Sequence, residues 1–128
     1  MIKADILLLC DEVILDSDTK KQSLIGIFDR VDAEKVPTLL PKICVFVRLK
    51  GSAGHHTAYL ELIAPPESGL PVNEVTCPFD LKNDDTTHNI KATFVPLPLL
   101  VYGRYTVRVL DENKSQLNET FLDVIEKR

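Results

Sequence analysis

Apolar and polar residues alternate in short blocks along almost the whole chain, and the loops between the blocks hold nearly all of its prolines. Ile43, Val45, Val47 and Leu49 mark one such block. Ile90, Ala92 and Phe94 alternate with Asn89, Lys91 and Thr93, and Tyr105, Val107 and Val109 with Thr106 and Arg108. A period of two gives each strand one buried and one wet face, as antiparallel sheets require. The same reading marks strands over residues 6–15, 24–33, 57–63, 72–79 and 117–125. Asp11-Glu12 interrupts the first and predicts a bulge or a change of face. Gly26 predicts a bulge or a close backbone approach, and Pro78 an edge strand. No window longer than about ten residues carries a 3.6-residue period, so helices should be few and short. Regularly spaced short strands predict an all-β antiparallel sandwich of about eight strands.

With strands alternating up and down, the loops sort onto two ends. Residues 16–21, 50–55, 80–88 and 111–115 form a polar, acidic end. Residues 34–41, 64–71 and 95–102 form an apolar end with seven of the eight prolines. Prolines there fix the backbone in advance and lower the ordering cost of binding. Leu39, Leu40, Leu97, Leu99, Leu100 and Tyr102 are therefore the expected anchors for a protein partner, because a contiguous exposed apolar patch marks an interaction site. Folded inward, the same leucines would plug the end of the sandwich.

The acidic end offers Asp16, Asp18, Asp84, Asp85 and Asp111, with Glu112, as weak candidate oxygen donors for calcium. Their spacing fits no EF-hand loop, and Asp is a common turn residue because it caps local backbone, so neither metal nor cofactor is expected. His55, His56 and His88 are too scattered to predict a transition-metal site. The serines lack a nucleophile elbow, and Gly51-Ser-Ala-Gly54 lacks the Lys-Ser/Thr of a phosphate loop. A small hydrolase or lyase would need a concave pocket with convergent titratable groups that sequence cannot display. Asp29 and Arg30 are expected to be solvated or paired locally, with Phe28 in the core.

The 128 residues, 45% apolar and 27% charged, suit one globular domain. That length buries about two-thirds of the unfolded surface without staples. A net charge of −4 with interspersed signs gives no broad attraction for phosphate backbones, so nucleic acid is not an expected partner. The apolar stretch at residues 6–10 is too short for a signal peptide or a membrane span. Cys10, Cys44 and Cys77 are odd in number and widely spaced, each in a hydrophobic run. They read as reduced core thiols and fit the cytoplasm, the compartment expected for a chain without such segments. A homodimer through an edge strand, residues 72–79, is a further expectation.

Leu8-Leu-Cys-Asp11, Ser23-Leu-Ile-Gly-Ile-Phe-Asp-Arg30, Val45-Phe-Val-Arg-Leu-Lys-Gly51 and Gly103-x-Tyr105-x-Val107-x-Val109 with Asp111 together resemble a family of small bacterial proteins known only as a domain of unknown function. Ile-Gly-Ile-Phe-Asp is the most specific block. The tyrosine early in a late strand suggests an immunoglobulin-like β-sandwich. Trp and an inter-sheet Cys pair are missing, so the architecture alone is implied. The resemblance brings no catalytic residues, and the expectation is a non-enzymatic protein-binding or scaffolding module.

Overall fold

A computed structural model describes residues 1–127. Eleven strands follow in order: β1 (Ile2–Leu15), β2 (Gln22–Ile27), β3 (Arg30–Ala33), β4 (Thr38–Leu40), β5 (Ile43–Gly51), β6 (Gly54–Ile63), β7 (Asn73–Leu81), β8 (Thr86–Phe94), β9 (Leu97–Leu99), β10 (Gly103–Leu110) and β11 (Gln116–Glu126), with one 3-10 turn at Pro66–Ser68. The first sheet runs β2-β1-β5-β8 and the second β3-β11-β10-β6-β7, while β4 and β9 pair as a separate ribbon. All pairings are antiparallel except β3 with β11, which is parallel.

The alternating blocks land as their period requires. Ile43, Val45, Val47 and Leu49 of β5 face Leu60, Leu62, Tyr105, Val107 and Val109 of the second sheet across one continuous core. On the outer face of that sheet, Arg104 sits opposite Asp123 and Arg108 opposite Glu61, each in a direct ion pair. Such opposite-charge cross-strand pairs are the signature of a wet sheet face.

The first sheet departs from this plan. Cys44 and Phe46 point away from the sandwich core yet are buried, because they form a second apolar cluster with Cys10 and Val13, packed by Ile6 and Leu24. The cover is the β1–β2 hairpin. Strand β1 pairs with β5 only as far as Cys10↔Cys44, and from there pairs with β2 alone. The Gln22 side chain accepts a 2.7 Å hydrogen bond from Asn89 of β8, two strands away from β1. The hairpin therefore folds back across the outer face of β5 onto β8 as a third layer. Asp11-Glu12 marks this change of partner, while the register shift within the β1–β5 pairing lies at Ala4/Ile6.

Two expectations are corrected here. The run 24–33 is two strands in two sheets, because the chain turns at Phe28-Asp29 and crosses to the edge of the second sheet as β3. Phe28 and Val31 pack against the main core at that crossing, and exposed Arg30 pairs locally with Asp32 at 2.8 Å. This extra reversal makes β1 and β5 antiparallel and breaks the alternation used to sort the loops. Residues 16–21 form the tip of the β1–β2 hairpin, and the next residue, Gln22, reaches Asn89 of β8. The strand total rises from eight to eleven through β3 and the three-residue strands β4 and β9.

Gly26 sits at the fold-back corner with φ +69°, and a Cβ there would strike the Asp11 carboxylate. A left-handed conformation costs a non-glycine residue about 1–2 kcal/mol. Gly26→Ala should therefore lower stability in urea by at least about that amount, and adding Asp11→Ala should recover the part due to the collision. Equal stability of Gly26→Ala and wild type would show that the corner tolerates a side chain.

Candidate functional site

The proline-rich end is built around the β4–β9 ribbon. Its register sets Leu39 opposite Pro98 and Leu40 opposite Leu97. Each partner strand is three residues long, yet it still alternates: Leu97 and Leu99 point into the core, while Pro98 turns outward. Leu40 and Tyr102 are partly buried against the same core, and the Tyr102 hydroxyl donates to the Ala33 carbonyl at 3.1 Å. Leu100 is half-buried, and Leu39 is well exposed at 59%. The structure thus does not bring the six expected anchors together on one open surface. Leu97 and Leu99 are plugs, placed inside by strand alternation; only Leu39 stands free. The Val95-Pro-Leu-Pro-Leu99 segment already contained that alternation, masked by its prolines.

An apolar cavity of about 280 Å³ opens beside this ribbon. Leu62, Leu97 and Tyr105 form its floor, and Ala64 and Pro98 its walls. Leu70, Pro71, Val72 and Asn73, leading into β7, form its rim. Leu70 and Val72 are exposed. Tyr105 is fixed from behind: its hydroxyl donates to the Val101 carbonyl at 2.8 Å and receives the Val101 amide at 3.4 Å. That arrangement is the tyrosine corner of immunoglobulin-like sandwiches. Asn73 is the polar side chain of the rim. The cavity falls just below the usual range for drug-sized ligands, about 300–1,000 Å³, and fits one or two apolar side chains. Sequence reasoning missed Leu70 and Val72, although Leu70-Pro-Val72 repeats the Pro-stiffened apolar composition of the other two loops.

Three of the acidic candidates, Asp16, Asp84 and Asp111, accept backbone amides in turns. Asp16 Oδ1 accepts the amides of Asp18 and Thr19 at 2.8 and 3.1 Å, which hold its carboxyl below the usual 3.8. Asp111 Oδ1 accepts the amides of Asn113 and Ser115, both at 2.9 Å. Asp84 Oδ1 accepts the Ala53 amide at 2.8 Å, tying the β7–β8 turn to the β5–β6 turn. Asp85 lies beside Asp84 in sequence, and Asp18 beside Asp16 at the hairpin tip. Among the described residues, no three His, Cys, Asp or Glu side chains converge on a metal position. The histidines are equally dispersed in role. His55 meets Asp80 at 2.8 Å, and buried His56 donates from Nε2 to the Ser52 carbonyl at 2.7 Å. Phe79 stacks between His56 and His88.

Residues 5–124 match the profile of a family of unknown function, DUF6941. This chain belongs to DUF6941. The match spans all four blocks that carry the resemblance noted in the sequence. No curated protein matches the chain. Among solved structures, it is similar to an immunoglobulin-like protein from Pseudomonas aeruginosa, at 18% identity and a TM-score of 0.50, covering 97% of this chain and 96% of that one. At that identity the likeness concerns the fold. The DUF6941 chain is an immunoglobulin-like β-sandwich, and no helix among its described residues is long and apolar enough to cross a membrane.

Two measurements check these assignments in the DUF6941 chain. Leu99→Ala should cost about 2–5 kcal/mol, and exposed Leu39→Ala no more than about 0.5 kcal/mol, in urea denaturation; similar costs would contradict the plug assignment. For Asp16, a depressed folded pKa contributes stability above the unfolded value, lost as pH falls through the folded one. An NMR titration should place its carboxyl midpoint below 3.8, and millimolar calcium should leave that midpoint unchanged.

Proposed function

We propose that this protein is a non-enzymatic binding module whose proline-rich end receives an apolar side chain of a protein partner. The observation that carries this reading is the apolar cavity of about 280 Å³ with Leu70 and Val72 exposed on its rim. An open apolar hollow with a pre-set rim gains affinity by removing side-chain surface from water, and Pro71 and Pro98 lower the ordering cost. Asn73 can orient a partner backbone at the rim. The lining has no carboxylate, imidazole, thiol or ammonium group, so the hollow favours recognition over acid–base or nucleophilic chemistry.

The compartment proposed is the cytoplasm. Cys10, Cys44 and Cys77 are buried free thiols, and burial pushes the Cys10 and Cys77 thiols above their usual range. Inert, unpaired thiols suit a reducing environment.

The test is a peptide display selection against wild type, counter-selected with a Leu70→Asp/Val72→Asp variant. Both sites are exposed, so the variant should keep the wild-type thermal midpoint. Peptides sharing an apolar anchor, bound by wild type and at least about tenfold more weakly by the variant, would support the reading. Selected peptides that bind both proteins equally would reject the cavity as the site.

A further inference from the structure

The two main sheets have four edges: β2 and β8 in the first, β3 and β7 in the second. A free edge presents unpaired amides and carbonyls, and natural sheets block it with short length, charge or proline. Three of these edges carry such devices. Strand β3 has four residues and an Arg30–Asp32 ion pair. Strand β7 contains Pro78 between exposed Glu74 and Asp80, which blunts the edge first expected to pair copies. Strand β8 carries Lys91 and lies alongside β7. Strand β2, Gln-Ser-Leu-Ile-Gly-Ile, has neither charge nor proline.

Exposed apolar side chains gather at this same edge: Ile25 and Ile27 on β2, and Ile14 and Leu15 on the adjoining half of β1. The backbone there is free to pair. The Asp16 amide donates to the Lys21 carbonyl at 2.8 Å, and the register continues through Ile14↔Ser23 and Glu12↔Ile25. In an antiparallel ladder the bonding direction alternates, so Ser23 and Ile25 bond toward β1 while the amides of Gln22 and Leu24 aim outward. Charge along the edge is graded, with Lys20 and Lys21 before β2 and Asp29 after it. None of the three makes an ion pair among the described residues. An antiparallel copy would bring the lysines of each chain beside Asp29 of the other, at both ends of the pairing.

We propose that the β2 edge is a self-association surface, on which a second copy of this chain pairs β2 with β2 antiparallel across a two-fold axis. The surface is separate from the cavity at the proline-rich end, so either reading can fail alone.

Sedimentation equilibrium across a dilution series tests it. Wild type should reach twice the 14.4 kDa of one chain. Gln22→Pro removes an outward donor on each copy without touching the β1 ladder, and should raise the dimer dissociation constant about tenfold or more. Asn89→Ala, which removes the same Gln22 side-chain bond but leaves the edge intact, should dimerise like wild type. Lys21→Glu should weaken the dimer, and Asp29→Lys in the same chain should restore it. A wild type that stays monomeric throughout, or a dimer that survives Gln22→Pro, would overturn the proposal.

Discussion

Strand β5 is buried on both faces, and the rest of the architecture follows from that. Its inward side chains Ile43, Val45, Val47 and Leu49 build the sandwich core, while Cys44 and Phe46 stand on the opposite face. Left to water, that second face would make the first sheet a poor surface. The β1–β2 hairpin covers it by folding at Cys10–Asp11 and laying Val13 and Leu24 over Phe46. A two-stranded hairpin is marginal by itself, so the hairpin and the face it covers stabilise each other. Gly26 and Asp11 make the corner, and the chain leaving it is delivered to the far side of the sandwich as β3. The single parallel pairing among the described residues, β3 with β11, thus follows from covering β5.

Much of this was legible in the residues, and the misreadings have definite physical sources. Period-two blocks placed β8, β10 and the inner face of β5 because each has one wet face or a clear inward set. The run Ile43-Cys-Val-Phe-Val47 is apolar at every position, which is the pattern of a doubly buried strand; read for its odd positions alone, it gave no reason to look for a third layer. Residues 24–33 read as one strand because the turn at Phe28-Asp29 uses neither glycine nor proline. That one hidden reversal broke the simple up-and-down alternation on which the sorting of loops relied. Gly26, by contrast, was marked as a point of close approach, and Asp11 proves to be what approaches it.

At the proline-rich end the same physics separates filling from display. A three-residue strand is long enough to alternate, so Leu97 and Leu99 turn inward and Pro98 turns out. Leu70 and Val72, which lie beyond the ribbon's register, keep their side chains at the surface beside the hollow that the plugs leave. Composition marks such an end as apolar but carries no information about which leucines a short strand will claim. Backbone alternation supplies that information.

The two apolar surfaces of the molecule then differ in kind. The cavity is concave, walled by fixed prolines and floored by a tyrosine whose hydroxyl is already bonded, so its shape is pre-set. The hairpin edge is a line of free backbone groups flanked by isoleucines, with no hollow to select a side chain. A concave site discriminates by the shape of what enters it, whereas a strand edge accepts any strand of compatible charge and register. An edge of that type carrying opposite charges at its two ends is complementary to itself when reversed. On the two proposed readings, the proline-rich end suits a heterologous partner and the β2 edge a second copy, with the sandwich between them keeping the two events apart.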